Sequence, residues 1–385
     1  MRTLLTTSRM PFTLAAIRKL AKAGHEVYAC DTFDDAPGNR SRFNAEHYVT
    51  ASPRHQTRQF IDDLKGIIEK HSIELLIPCM EEVFYISNHR AELEELTEVL
   101  VSPFEALHTL HHKVLFQKMC EEIGLRVPKT QVATSLSELK EAVGQFEFYN
   151  ARPSFSRGGY KILANMGPRD GVMKIDECDP TETNPWVVQE YVIGEDLCSY
   201  SVARHGKMAA HCCYETPVEV EGAYGIEFLS VDRPEAFEMI STVVEHLNFH
   251  GHISFDFLQT PTGLCLIECN PRCTNGALLV PGDILDRALT SKEAPDTCEM
   301  VPEGIKAQVA FGMAYELFAS LKTFPKTLRE FLTVQDAYID RHDLIPAIHA
   351  LSMIGRFQEE ADMRHVGLMD AMLEDVSWNG EAMLA

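Results

Sequence analysis

No apolar run in the 385 residues approaches the roughly 18 uninterrupted positions that a membrane-crossing helix requires, so none is expected. The opening MRTLLTTSRMPF has one early Arg and then Ser, Thr and Pro where a secretory leader needs a long apolar stretch, so no leader is expected either. Basic charge is scarce: 35 Lys and Arg stand against 57 Asp and Glu, a net charge of −22. Such a surface repels nucleic-acid backbones and anionic lipid, which argues against either as the main partner. The 11 cysteines are odd in number and scattered, as expected of reduced thiols in a cytoplasmic protein rather than a disulfide frame. Cys265, Cys269 and Cys273 recur every fourth residue, a spacing that fits neither a zinc pair nor an iron–sulfur cluster and reads as packing. After the first strand-like segment comes Ser8-Arg9-Met10-Pro11 rather than GxGxxG, which argues against a dinucleotide site. There is no internal repeat and no low-complexity tract.

With 45% hydrophobic and 24% charged residues, the composition is that of a globular protein large enough for two or three domains. Residues 3–7 and 26–31 read as strands, and between them lies a helix over 12–23 closed by Gly24. A buried strand over 71–78, a helix after Cys79 and a short strand over 98–101 continue the alternation. Such an order predicts an α/β domain with a parallel sheet over residues 1–103. From Lys113 the texture changes. A helix over 113–123 ends at Gly124, and short strands follow over 187–192, 197–203, 207–214, 252–258 and 264–270. These predict an α+β domain with antiparallel sheets over 104–301. Residues 302–385 read as a mostly helical tail, with two roles open to it: closing a cleft or forming a homodimer interface.

The strongest chemical signal is HISFDFLQTPTGLCLIECNPR, residues 252–272. Strand alternation puts His252, Ser254 and Asp256 on one face, and on the return strand Glu268 and Asn270 share a face. A three-residue loop, Pro261-Thr262-Gly263, would fold about Thr262 and set Asp256 opposite Glu268, with Cβ atoms about 4.5–5.5 Å apart. Two carboxylates in that position repel unless something offsets the cost. A hard divalent cation held by Asp256, Glu268 and the amide oxygen of Asn270 would do so. The alternative is a solvated polar face.

A strand bearing Asp, a hairpin and then E-x-N-P-R resembles the metal-binding end of the ATP-grasp superfamily, which includes carboxylate–amine ligases and carbamoyl-phosphate-synthase-like enzymes. Other landmarks follow in that family's order over residues 1–300. Lys113, on a helix leading to G-x-x-x-P, resembles the first ATP-contacting lysine. The segment ARPSFSRGGYKIL, residues 151–163, resembles the one supplying a second basic residue and a glycine loop over the triphosphate, here Gly158 and Gly159. VVQEYVIGEDL, residues 187–197, resembles the hinge strand that cradles adenine. There the resemblance implies polar edges from Gln189 and Glu190, and backbone from Tyr191 and Val192. It further implies a ribose ligand at Asp196, with Glu195 as the alternative.

Where the family commonly has Lys before Pro, this chain has Arg152-Pro153. Arg keeps the charge and can hold phosphate oxygens bidentately. Arg157 and Lys161 are nearby basic residues able to share the role. Arg272 lies where the family has an arginine facing the transferring phosphoryl group, which with Arg152 makes the catalytic pair that the resemblance implies. Thr274-Asn275-Gly276 would line the acceptor pocket. The implied cofactors are ATP and Mg²⁺, with Mn²⁺ as a substitute, and the implied partners are a small-molecule carboxylate and an amine. The carboxylic acid, an amino acid among the candidates, would become an acyl phosphate and pass to the amine, releasing ADP and phosphate. Two alternatives stay open: a carboxyphosphate-forming carboxylase or carbamoyl-phosphate-type enzyme, and a nucleotide-binding module without catalysis.

Overall fold

The computed structural model describes residues 1–156, 161–220, 224–309, 329 and 333–383. Its first layer is a five-stranded parallel sheet of β1 (Arg2–Leu5), β2 (Glu26–Asp31), β3 (Glu46–Val49), β4 (Leu75–Ile77) and β5 (Glu98–Val99). The order is β3-β2-β1-β4-β5. Helices α1 (Pro11–Lys22), α2 (Thr57–His71), α3 (Glu82–Asn88) and α4 (Arg90–Glu94) connect the strands. Pro11 starts α1 with its φ already helical, and Gly24, at φ +95°, ends the turn after it. The strand expected over 71–78 is only three residues long. The apolar period of α2 carries on to His71, and Ser72 closes the helix in the left-handed region. Strand β3 was not expected; half-exposed at the sheet edge, it lacks an apolar alternation.

Helices α5 (Phe104–His111) and α6 (Lys113–Glu122) lead into a second, antiparallel sheet. It comprises β6 (Thr130–Ala133), β7 (Tyr149–Pro153), β8 (Leu163–Ala164) and β9 (Trp186–Glu190), in the order β6-β9-β7-β8. Helix α7 (Leu136–Val143) covers it through a small core of Leu139, Ala151, Trp186 and Val188.

The third sheet runs through β10 (Glu195–Arg204), β11 (Lys207–Val220), β12 (Tyr224–Val231), β13 (Gly251–Thr260) and β14 (Gly263–Asn270). Among the described residues, β15 (Glu299–Met300), β16 (Lys306–Gln308) and β17 (Gln335–Asp336) extend it, with β16 beside β12 and β15 beside β11. Helix α8 (Pro234–His246) packs on one face. On the other, α1, α9 (Gly282–Thr290) and the tail helices α10 (Ile345–Arg364) and α11 (Leu368–Leu373) share a core with Tyr200, Cys212 and Phe228. The three cysteines at four-residue spacing are buried and free, and Cys269 sits among Phe116, Phe255 and Leu266. No described helix is long and apolar enough to cross a membrane.

Gly276 lies where the loop after β14 meets this sheet. A Cβ there would come within 2.5 Å of both Tyr200 Cβ and Tyr214 Cε1. Gly276→Ala should therefore cost about 1–3 kcal/mol through overpacking, read as a lowered denaturation midpoint; an unchanged midpoint would show that the loop can yield there.

Candidate active site

Strands β13 and β14 turn through Pro261 and Thr262 alone, with Thr260 opposite Gly263 at φ +107°. The loop is one residue shorter than expected, and this register would set Asp256 against Ile267. Instead the pairing shifts between Phe257, opposite Leu266, and Asp256, opposite Glu268. Ile267 is the extra residue of a bulge, and it restores the apposition that the longer loop would have made. Without it Glu268 would turn to the other face of the sheet.

Glu268 is the centre of the cluster. Its Oε2 accepts from Arg152 Nη1 at 2.7 Å and lies 3.5 Å from Lys113 Nζ. Lys113 also donates to the Ser156 carbonyl at 2.9 Å, and Arg152 Nη2 is 3.5 Å from the carbonyl of the bulged Ile267. Asp256 Oδ2 accepts from Asn270 Nδ2 at 3.3 Å, and Asn270 Oδ1 accepts from Arg272 Nη2 at 3.1 Å. Arg272 Nε lies 3.9 Å from Glu81 Oε1. The two acids diverge. Burial and then the neighbouring Glu268 charge push Asp256 above the usual carboxylate range. Burial also opposes the charge on Glu268, but Lys113 and Arg152 more than reverse it and hold Glu268 ionised.

The hinge residues are spread differently. The side chain of Gln189 donates to Gln117 at 3.4 Å and Thr130 at 3.2 Å, which packs it against β6 and α6. Glu190 accepts the Lys129 amide at 3.0 Å, and the Tyr191 amide donates to the Phe148 carbonyl at 2.9 Å. Val192 is half-buried just beyond β9. The register separates the two ribose candidates. Asp196 pairs with Leu258 and Cys198 with Asp256, so Asp196 shares the Asp256 face two residues along, and Glu195 takes the opposite face. Gly158, Gly159 and Arg157 lie outside the described residues. Lys161 is paired with Asp179 at 2.8 Å.

Two carboxylates and an amide meeting at one face suit a magnesium-type ion, which favours oxygen donors. The donor set fits: Asp256 is destabilised as an anion by Glu268, a cost that a divalent cation removes. Asn270 presents its nitrogen to Asp256, so its oxygen would reach a shared ion after an amide rotation that gives up the Arg272 bond. The hairpin motif did not point to Glu81. Its signal was position alone, a carboxylate just past the carboxyl end of a buried parallel strand. Ser254 and Thr274, hydroxyl to hydroxyl at 2.9 Å, extend the same face.

Comparison with known proteins finds a family match over the stretch that holds these residues. Residues 110–276 match the family model described as "ATP-grasp domain". A formate-dependent phosphoribosylglycinamide formyltransferase from Bacteroides fragilis is 26% identical over 137 residues, 36% of this chain and 32% of that protein. The match thus spans about a third of that relative's length. N5-carboxyaminoimidazole synthetase from Staphylococcus aureus superposes with a TM-score of 0.62 at 14% identity, covering 84% of this chain and 86% of that one. The biotin carboxylase domain of 2-oxoglutarate carboxylase from Hydrogenobacter thermophilus, a dimer in complex with MgADP, ADP and bicarbonate, gives 0.59 at 11% identity, covering 77% and 71%.

Because the folded value of Asp256 is raised, this group favours the folded state at low pH, and that contribution is lost as pH climbs from the ordinary carboxylate value through the folded one. In EDTA the melting temperature of Asp256→Asn should gain on wild type between pH 5 and pH 8. Mg²⁺ with ATP at about 100 times its dissociation constant should stabilise wild type by about 2.7 kcal/mol, and the variant far less. Equal shifts in both proteins would remove Asp256 from the cation site.

Proposed function

We propose that the chain, whose residues 110–276 match an ATP-grasp domain model, is an ADP-forming ligase. It phosphorylates a small carboxylic acid with ATP and passes the acyl group to an amine. The observation that carries this reading is the convergence of Lys113 and Arg152 on Glu268, directly opposite Asp256. Two cations and two carboxylates within one small volume are what a triphosphate and its counter-ion need on either side.

In this reading Asp256, Glu268 and Asn270 would hold Mg²⁺, or Mn²⁺ in its place, which would supply positive charge to the triphosphate. Lys113 acts as a point charge on the phosphates, while Arg152 grips them with its planar fork. When ATP binds, both must share their attraction between Glu268 and the phosphates, so the apo cluster keeps them in place beforehand. Asp196 takes the ribose. Of the hinge, the backbone of Tyr191 and Val192 takes the adenine edge, and Gln189 supports the strand from behind. The substrate carboxylate attacks the γ-phosphorus in line and expels ADP. Arg272 stabilises the charge spread over the transferring oxygens. The amine then attacks the acyl carbon and expels phosphate, which gives the amide. The eleven unpaired thiols suit a reducing cytoplasm.

A second reading takes bicarbonate as the acid, and the likeness to a domain solved with MgADP and bicarbonate favours it. An ADP-release screen of formate, bicarbonate and amino acids against an amine panel, with the product mass measured, separates the two. ADP and phosphate appearing only with an acid and an amine together is the expected result. No acid-dependent ADP above background across the panel would sink both readings and leave a nucleotide-binding module.

With the best pair in hand, Arg152→Ala should lose about 2–4 kcal/mol of transition-state stabilisation, as when other electrostatic groups are removed from active sites. Arg152→Lys should recover a good part. A silent Arg152→Ala in steady-state ADP release would move the role to Arg157 or Lys161.

A further inference from the structure

Arg272 belongs to the loop after β14, yet the carboxylate at its Nε edge comes from the first domain. Glu81 stands at the start of α3 with its side chain 1% exposed. The adjacent Glu82 fixes the turn: its Oε1 accepts the amides of Cys79 at 2.9 Å and Met80 at 3.0 Å, and the hydroxyl of Thr6. Glu81 is therefore aimed by the backbone. At 3.9 Å it holds Arg272 by charge rather than by a hydrogen bond.

The other oxygen of Glu81 accepts the backbone N–H of Trp378 at 3.2 Å. Trp378 is wedged among Phe84, Phe104, His108 and Phe155, with ring centroids 5.2–5.4 Å away. Two residues on, Gly380 has φ +86°, and a Cβ there would lie 2.3 Å from the Phe155 ring. Upstream, Asp375 is clamped by the buried Arg9, with both Nη1–Oδ1 and Nη2–Oδ2 at 2.8 Å. The tail is thus tied to the first domain at Asp375 and to the segment after β7 at Gly380, and Glu81 is held between these ties.

We propose that Glu81 is a positioning residue for Arg272, and that residues 375–380 keep it in place through the Trp378 amide. The physical need lies in the competing attraction. Asn270, which Arg272 already touches, also touches Asp256, a carboxylate with no ion-pair partner among the described residues and so an attraction for a guanidinium on a flexible stem. A fixed anion on the Nε edge keeps Arg272 from collapsing onto the cation ligands. The proposal rests on the reading of Arg272 given above, but its geometry can be tested without turnover.

The test uses the full chain and three variants: Glu81→Gln, Glu81→Asp and Gly380→Ala. Phenylglyoxal labelling of Arg272, followed by mass spectrometry of its peptide, reads how firmly the guanidinium is held. Glu81→Gln should label roughly fivefold faster, the factor expected from losing one ion pair, with Glu81→Asp in between. Gly380→Ala, which leaves Glu81 intact and crowds the tail against the Phe155 ring, should accelerate labelling in the same direction. In turnover, Glu81→Gln should lower kcat on the order of 10²-fold, as misplacement of a catalytic group does, with KM for ATP within about twofold. Unchanged labelling at Arg272 in both Glu81→Gln and Gly380→Ala overturns the proposal, as does a loss of kcat that only tracks a fall in melting temperature. If wild type forms no ADP, the ligase reading fails while the labelling still decides the role of Glu81.

Discussion

The repulsion between Asp256 and Glu268 is the constraint around which the rest of the site is arranged. Two acids across a ladder are unfavourable, and the chain offsets the cost on one side only. Glu268 receives Arg152 from β7 and Lys113 from the start of α6, two segments that share no strand with it. Among the described residues Asp256 receives the Asn270 amide and the Cys198 thiol, neither of them a cation. The result is one firmly ionised carboxylate and one whose charge is costly, which leaves a local deficit of positive charge where a divalent ion would sit. Because Glu268 draws cations from the second sheet and from α6, the same interaction also sets how these pieces meet the third sheet.

The tail carries a comparable burden at the other edge of the site. Arg9 is wholly buried and would be ruinous unpaired, but Asp31, Asp375 and Thr32 surround it. That network fills the carboxyl ends of β1 and β2 with the chain's own side chains. The first sheet reaches the Arg272 side chain through Glu81, which stands just past the carboxyl end of β4.

Much of the architecture was legible in the order of apolar runs. The alternation before residue 103 led to the parallel sheet, and the hairpin-rich stretch after Lys113 led to the antiparallel ones. Edges were not: β3 is half-exposed, and with no buried face it carries no apolar alternation. The Asp256–Glu268 apposition was legible for an instructive reason. Counting back from the turn assumed one loop residue too many, and the bulge at Ile267 supplied the missing one within the strand. The core must bury Phe255, Phe257, Leu266 and Cys269 together, so the register is set by packing and the turn conforms to it.

By itself the sequence determined the residue types and their local faces: Asp256 and Ser254 on one side of a strand, Glu268 and Asn270 on one side of the next, and Arg272 just beyond. These follow from a period of two, which needs no knowledge of the rest of the chain. Only the tertiary structure decided which cations meet Glu268, that Asp196 rather than Glu195 shares the Asp256 face, and that Gln189 spends its amide on Gln117 and Thr130. Glu81 reaches Arg272 across nearly two hundred residues of chain, and Trp378 reaches Glu81 across nearly three hundred. No local pattern encodes such contacts. They arise when buried charges, which cannot remain unpaired, take whichever partners the packed sheets bring within reach.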